Sequence, residues 1–359
     1  MPEFLSNEEI VLAARKNLPQ GAWDYLVGGS ESETTLRRNR LAFDRWGFRP
    51  RILVDVSKID TSTTFLGHRM RIPAMLAPIG SLQVFLPEGA VASAQAASDF
   101  GTMHAVSSVT EPALEVTAAT GTAPKIFQLY VQGDLAWIKD ILDRVKAAGY
   151  IGLAITVDTA IYSRRERPML NRWAPPTRRG NAGMIRNFLS ELSWDTLDRI
   201  KEIWGGPLLV KGIGTAEDAA IAVDHGVDVI WVSNHGGRQI DHALGAMDVL
   251  PEVVQAVNGR AQIMVDGGVQ RGGDILKAIA LGAQCVALGR LQGWGLGAAG
   301  GPGVLRMLEI LENEIISAMG LMGVTSMDQL GPKYVTRAEP VHQPHEMSMW
   351  ANMPGGRIQ

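Results

Sequence analysis

Short apolar runs alternate with helical stretches along most of this 359-residue chain, and that alternation constrains the fold more than any other feature. The runs are Pro73–Pro78, Met103–Ser108, Ile126–Val131, Gly152–Asp158, Pro207–Gly212, Val229–Asn234, Ile263–Gly268 and Val286–Arg290. Near-continuous apolar character over so few residues is expected of parallel strands covered on both faces. Between them, Glu88–Phe100, Leu135–Ala148, Ala216–His225 and Gly273–Leu281 carry helical periodicity. Eight strand–helix units predict an α/β fold of the closed (β/α)8 barrel type rather than an open sheet. The stretch from Asp158 to Pro207 is much longer than the other connections, so an insertion loop is expected after the fourth strand. One domain over residues 1–359 is expected, with a helical N-terminal extension (1–71), a barrel (72–320) and a C-terminal tail (321–359).

The strand ends matter most, because barrel enzymes do their chemistry at the C-terminal face. The sixth run opens into Ser233-Asn234-His235-Gly236-Gly237-Arg238-Gln239. The glycines suit a sharp turn. An imidazole takes a proton near neutral pH, and an arginine three positions on can hold a carboxylate by two parallel hydrogen bonds. A base beside a carboxylate clamp points to proton removal from a small organic acid. A histidine in such a turn is about as often a capping residue, so the other strand ends carry the decision.

They place Gln128 and Tyr130 after the third strand, Thr156 and Asp158 after the fourth, and Lys211 at the end of the fifth. A lysine closing Leu208-Leu209-Val210 is costly unless it meets an anion or an electron-rich ligand. A carboxylate such as Asp158 can orient and charge-stabilise an imidazole. Asp266-Gly267-Gly268 closes the seventh strand and Gly289-Arg290 the eighth, where barrels often bind a phosphate through glycine N–H groups. The run Gly295-Leu296-Gly297-Ala298-Ala299-Gly300 matches a dinucleotide fingerprint by letter only. It does not directly follow a strand, and no acidic residue heads a second strand after it. It is read as a glycine-rich lead-in to the last helix.

Charge and cysteine use exclude several classes. A formal net charge of -3 gives no reason to expect nucleic acid or general affinity for anionic membranes. Cys285 is the sole cysteine, so no internal disulfide forms. There is no secretory pattern at Met1-Pro2-Glu3-Phe4, no integral membrane segment and no peroxisomal address, so a cytoplasmic protein is expected. Arg164 to Arg186 holds seven arginines against one carboxylate, Glu166, and is read as a solvated lid.

The chain resembles the FMN-dependent α-hydroxy acid oxidases and dehydrogenases, the family of glycolate oxidase, lactate oxidase and mandelate dehydrogenase. The resemblance runs from Leu18-Pro19 and Trp23-Asp24-Tyr25 through Phe48-Arg49-Pro50-Arg51, Pro87-Glu88-Gly89, Phe127-Gln128-Leu129-Tyr130, Thr156-Val157-Asp158-Thr159, Arg164-Arg165-Glu166, Leu209-Val210-Lys211-Gly212 and Ser233 to Gln239, reaching Leu281-Gly282-Ala283. It implies FMN as cofactor and an (S)-2-hydroxy acid as substrate, oxidised to the 2-keto acid. His235 is then the base, Asp158 its carboxylate partner, and Tyr130 a contact to the substrate hydroxyl. Arg165, Arg238 and Tyr25 would bind the substrate carboxylate. Lys211 would sit beside the flavin. Pro78, Ile79, Gly80, Ser107, Gln128, Thr156 and Ser233 would surround the cofactor, with Asp266, Gly267, Gly268, Gly289 and Arg290 at its phosphate end.

Electrons would pass to oxygen or another acceptor, no metal is expected, and a homo-oligomer (tetramer or octamer) is implied. The alternatives are the same flavin machinery on a larger substrate, such as a peptide-derived cofactor precursor, and a non-redox barrel binding a phosphorylated ligand. Against the plant glycolate oxidase pattern, Ile79 and Gly80 replace threonine and alanine, Val109 replaces a tryptophan, and Gln270 stands where an arginine often grips the phosphate, with Arg271 adjacent. Gly80 and Val109 both remove volume, and Ile79 and Leu82 keep the wall apolar, so a pocket for bulky or aromatic 2-substituents is expected.

Overall fold

The computed structural model describes residues 3–176, 188–341, 347 and 349–350. Eight parallel strands close on themselves: β1 (Ala74–Leu76), β2 (His104–Ser107), β3 (Lys125–Leu129), β4 (Gly152–Thr156), β5 (Leu208–Ile213), β6 (Val229–Val232), β7 (Gln262–Asp266) and β8 (Cys285–Leu288). They follow chain order around the barrel, and β8 pairs with β1 to shut it. All eight lie within the apolar runs expected from the sequence, give or take a terminal residue.

Strand alternation fills the inside and, by the same rule, places the polar residues. Ala105, Ile126, Ala154, Leu209, Trp231, Met264 and Ala287 form one buried interior cluster. Two residues further along the same strand faces come Ser107, Gln128, Thr156, Lys211, Ser233, Asp266 and Gly289. The apolar residue at each position fixes the register, so its polar neighbour emerges at the C-terminal mouth. The intervening residues, among them Leu153, Ile155, Val210, Ile230 and Val265, face outward into the larger core beneath the helices. Helices Gly89–Phe100, Leu135–Ala147, Ala216–Asp224 and Gly272–Ala280 fall on the expected segments. Several begin at a side-chain cap, as where Asp134 accepts from Trp137 N and Thr215 from Asp218 N.

The N-terminal extension is only partly helical. It holds α1 (Asn7–Asn17), α2 (Gln20–Val27) and α3 (Thr34–Asp44), but Trp46–Phe48 then pairs antiparallel with Val335–Arg337 of the tail. A hairpin, Thr63–Phe65 with His68–Met70, puts Phe65 and Met70 into the interior cluster. These strands are three residues long, too short for a period-2 pattern to show in sequence.

The run Gly295–Gly300 also differs from its sequence reading. It lies within the helical span Arg290–Met322, which breaks only at Ala299 and Gly300. Its glycines serve close packing: a Cβ on Gly295 would stand 2.9 Å from the Val304 backbone, and one on Gly297 2.8 Å from Leu18. The long connection after β4 contains short helix Glu166–Leu170 and helix Trp194–Trp204. Arg178, Arg179 and Arg186 of the expected lid lie outside the described residues.

Candidate active site

A cavity of about 410 Å³ opens at the C-terminal ends of the strands. Its wall includes Tyr25, Pro78, Ile79, Gly80, Tyr130 and Arg165, together with Lys211, His235, Arg238 and Asp266; Gly267, Gly268, Gly289 and Arg290 complete one end. Segments as far apart as α2 and the loop after β8 therefore meet in one place. Asp158, Ser107, Gln128, Thr156 and Ser233 do not line this wall. Asp158, Ser233 and Ser107 are hydrogen-bonded to residues that do, namely His235, Lys211 and Val109.

His235 is the centre of the arrangement. Its Nδ1 lies 3.0 and 3.2 Å from the two Asp158 oxygens, and its Nε2 lies 3.2 Å from the Tyr130 hydroxyl. A carboxylate facing Nδ1 selects the tautomer with the proton there, which leaves Nε2 as the acceptor. Burial lowers the imidazole pKa, Lys211 adds to the effect, and Asp158 opposes it. Burial pushes the Asp158 carboxyl up, but His235 and Lys211 outweigh it and hold the group below the usual carboxylate range. Burial, reinforced by Asp158, pushes the Tyr130 phenol well above its ordinary value. At neutral pH the trio is therefore a neutral imidazole between a carboxylate and an un-ionised phenol.

Two arginines, Arg165 buried and Arg238 half-buried, face the same space. Arg238 donates through Nη1 to the carbonyls of Tyr25 and Gly28 and lies 4.8 Å over the Tyr25 ring. Its recognition edge is thus Nε and Nη2. Arg165 donates through Nε to the Arg238 carbonyl and through Nη2 to Gln239 Oε1. Burial and the neighbouring Arg165 bring the Arg238 guanidinium down to about 10. Lys211 contacts Ser233 Oγ at 3.3 Å and Asp266 at 3.9 Å, while Ser233 donates to Asp266 at 2.6 Å. With Arg40, Arg165, Lys211, Arg238 and Arg290 against Asp266, the wall attracts anions.

The residues present fit FMN. Gly267 and Gly268 sit at φ 94° and 88°, and nothing stands within 4 Å of where a Cβ on Gly289 would be, so backbone can approach a phosphate there. Gln128 Nε2 donates to Thr156 Oγ1 at 2.8 Å, while its buried Oε1 has no partner among the described residues. An imide N–H is a donor of the kind such an oxygen lacks. Arg271 does not replace the missing arginine at Gln270, because it is turned to Glu314 and the Met349 carbonyl.

Sequence reasoning gave no role to Gln239, although it stands in the motif itself. Its Nε2 holds the carbonyls of Asp158 and Ile161 and so ties the loop after β4 to the loop after β6. It also missed Asn39 and Arg40, which no local pattern marks. The pocket wall differs in detail from expectation. Val109 Cγ2 lies 2.9 Å from where a Cβ on Gly80 would be, so Val109 fills the space Gly80 vacates and only the missing indole widens the pocket. Leu82 is buried off the wall, and Trp173 packs on Gly21 and Tyr25, while Ile79, Phe85, Pro175 and Leu189 keep the wall apolar.

Comparison with known proteins gives a consistent result. Residues 14–337 match the family described as FMN-dependent dehydrogenase. The chain is 37% identical over 347 residues to L-lactate oxidase of Nostoc sp., covering 90% of this chain and 95% of that one. It is 40% identical over 342 residues to glycolate oxidase 3 of Arabidopsis thaliana, covering 90% and 93%. A soluble mutant of the membrane-associated (S)-mandelate dehydrogenase from Pseudomonas putida superimposes with a TM-score of 0.88 at 33% identity, covering 94% of this chain and 100% of that one.

Proposed function

The chain belongs to the FMN-dependent dehydrogenase family, and from that premise we propose that it oxidises (S)-2-hydroxy acids to 2-keto acids. The observation that carries this reading is the line Asp158–His235–Tyr130 beside the paired guanidinium groups of Arg165 and Arg238.

Oxidation of a 2-hydroxy acid releases two electrons and two protons, and FMN, when bound, supplies the place for the electron pair. Arg165 and Arg238 hold the substrate carboxylate, with Tyr25 stacked under Arg238. His235 accepts one proton at Nε2, and Asp158 stabilises the imidazolium that results. The Tyr130 phenol, kept protonated by burial, donates toward the substrate oxygen. Lys211 places positive charge where negative charge would develop on the cofactor side. Gly267, Gly268, Gly289 and Arg290 hold the phosphate, and Ser107, Gln128, Thr156 and Ser233 support the ring. The wall of Ile79, Phe85, Val109, Pro175 and Leu189 favours an apolar 2-substituent larger than that of glycolate.

An anaerobic screen of 2-hydroxy acids, following bleaching of the flavin absorbance and then its recovery in air, tests the reading and separates oxygen from other acceptors. Bleaching by a bulky (S)-acid is expected; no bleaching by any 2-hydroxy acid contradicts it. A homo-oligomer, for which a tetramer is proposed, is supported as to association alone by apolar side chains left in solvent, Leu53 being 100% exposed beside Ile52. Cytoplasmic residence is supported by the single cysteine, which is buried. No helix among the described residues is long and apolar enough to cross a membrane.

A further inference from the structure

One turn of α3 reaches both halves of the site without lining the catalytic corner. Asn39 and Arg40 are each 1% exposed. Asn39 and Asn234 form a reciprocal amide pair, each Nδ2 donating to the other's Oδ1, at 2.9 and 2.8 Å. Asn39 Oδ1 also accepts from Ala246 N at 3.0 Å. Asn234 Oδ1 accepts from Gly237 N at 3.0 Å, and its Nδ2 donates to the Leu244 carbonyl at 3.0 Å. Asn234 therefore closes the turn that carries His235, and Asn39 holds the amide that closes it.

That turn needs a tie. His235, Gly236 and Gly237 are consecutive left-handed residues at φ 58°, 64° and 75°, and the first of them is not glycine. The backbone of α3 lies hard against it, since a Cβ on Gly237 would stand 2.6 Å from Leu36. The next residue on the helix, Arg40, donates to the Gly268 carbonyl at 2.6 Å and forms a two-pronged pair with Asp274 at 2.7 Å. A Cβ on Gly268 would stand 2.7 Å from the Asn39 carbonyl oxygen. Both the histidine turn and the glycine loop are thus referenced to one helical turn.

We propose that Asn39 is a positioning residue for the oxidation, fixing the left-handed turn that aims His235 between Asp158 and Tyr130 and, with Arg40, registering that turn against the glycine loop after β7. This rests on His235 being the base. Asn39 does not itself line the cavity, although it packs against Gly267 and Gly268, which do; it acts on His235 through Asn234. An amide is needed on both sides, because each partner gives one hydrogen bond and takes one.

The groups facing His235 are Asp158 and Arg165 from the connection after β4, Lys211 from β5 and Tyr130 after β3. Asp158 favours the imidazolium; Lys211, Arg165 and burial disfavour it. A turn released from Asn39 loses register with Asp158 first, so the His235 titration should move to lower pH. A variant that merely loosens the fold would admit water and move it the other way, toward the ordinary value.

The test uses holoenzyme carrying Asn39→Ala, Asn234→Ala or both. FMN content, anaerobic flavin reduction against pH, and the His235 titration by NMR in histidine-labelled protein are measured. The single variants should keep FMN and reduce it about 10- to 100-fold more slowly, in line with a displacement of about 1 Å at the reacting centre. Their acid limb and NMR titration should shift to lower pH, and the double variant should be no slower than the slower single. Rates that fall only with FMN loss, a titration that stays put or moves up, or additive losses would overturn the proposal. Asn234→Ala breaks the same pair from the other side and carries the test if Asn39→Ala folds poorly. If the unmodified holoenzyme is reduced by no 2-hydroxy acid, the functional reading fails instead, while the NMR titration still reports whether Asn39 sets His235.

Discussion

Two arginine sites lie on the same side of this barrel, one at buried Arg40 and one at half-buried Arg238, and they differ in what each guanidinium meets. Arg40 meets Asp274 through two hydrogen bonds of 2.7 Å and adds Asp44 and the Gly268 carbonyl. Its charge is matched inside the protein. Arg238 meets another cation, Arg165, two backbone carbonyls and an aromatic face. Its charge has no carboxylate beside it among the described residues, and its pKa is brought down whereas that of Arg40 is raised against the effect of burial. Both guanidinium groups border the cavity, but the matched one is committed to the fold and the unmatched one awaits an anion.

Breaking the matched site should cost stability. Asp274→Ala strands a buried guanidinium and is expected to lower unfolding free energy by about 3–5 kcal/mol, read by urea denaturation. A loss below a tenth of that would mean Arg40 is satisfied without its partner. Breaking the unmatched site should leave stability intact and cost binding. Arg238→Met is expected to weaken oxalate binding by about 1.5–3 kcal/mol, the usual worth of a charge-assisted hydrogen bond, with Arg165→Met acting in the same direction. Oxalate titrations indistinguishable from those of the unmodified protein would remove the arginine pair from substrate recognition.

The pH dependence sharpens the comparison, because the base lies beside the unmatched charges. His235 must be neutral to take a proton, and burial and Lys211 depress its pKa below the ordinary value of about 6.5. The reduction rate of the free holoenzyme should rise with pH through an acid limb below 6.5 and level off above it. Lys211→Met should move that limb upward, because one cause of the depression is gone; a limb that stays put would show that Lys211 does not act on the imidazole. The smallest expected effect is on specificity. Val109→Trp should shift kcat/KM toward glycolate over mandelate, each apolar methylene excluded counting for about 0.8 kcal/mol. An unchanged ratio would mean that the 2-substituent lies elsewhere.

Most of the barrel was legible because each strand carries its own evidence, an apolar stretch that is buried on both sides. The catalytic corner was legible for a related reason: His235, Lys211 and Asp158 are polar residues placed where a strand pattern stops, and their cost demands an explanation. Asn39 escaped notice because its partner is 195 positions away, and an asparagine on a helix looks like any solvated residue. The contact between Val109 and Gly80 escaped for the opposite reason. Each residue was read alone as lost volume, whereas the structure lets one fill what the other vacates. The hairpin at Thr63–Met70 was hidden by its brevity.

The central claim is that His235 takes a proton from a 2-hydroxy acid held by Arg165 and Arg238. Its most direct test is single-turnover reduction of the His235→Ala holoenzyme, mixed anaerobically with the best (S)-2-hydroxy acid. FMN should remain bound, since all its expected contacts but Ser233 lie on other loops, and reduction should slow by about 10³- to 10⁴-fold, the upper range for loss of a general base. Reduction at more than a tenth of the unmodified rate would contradict the account.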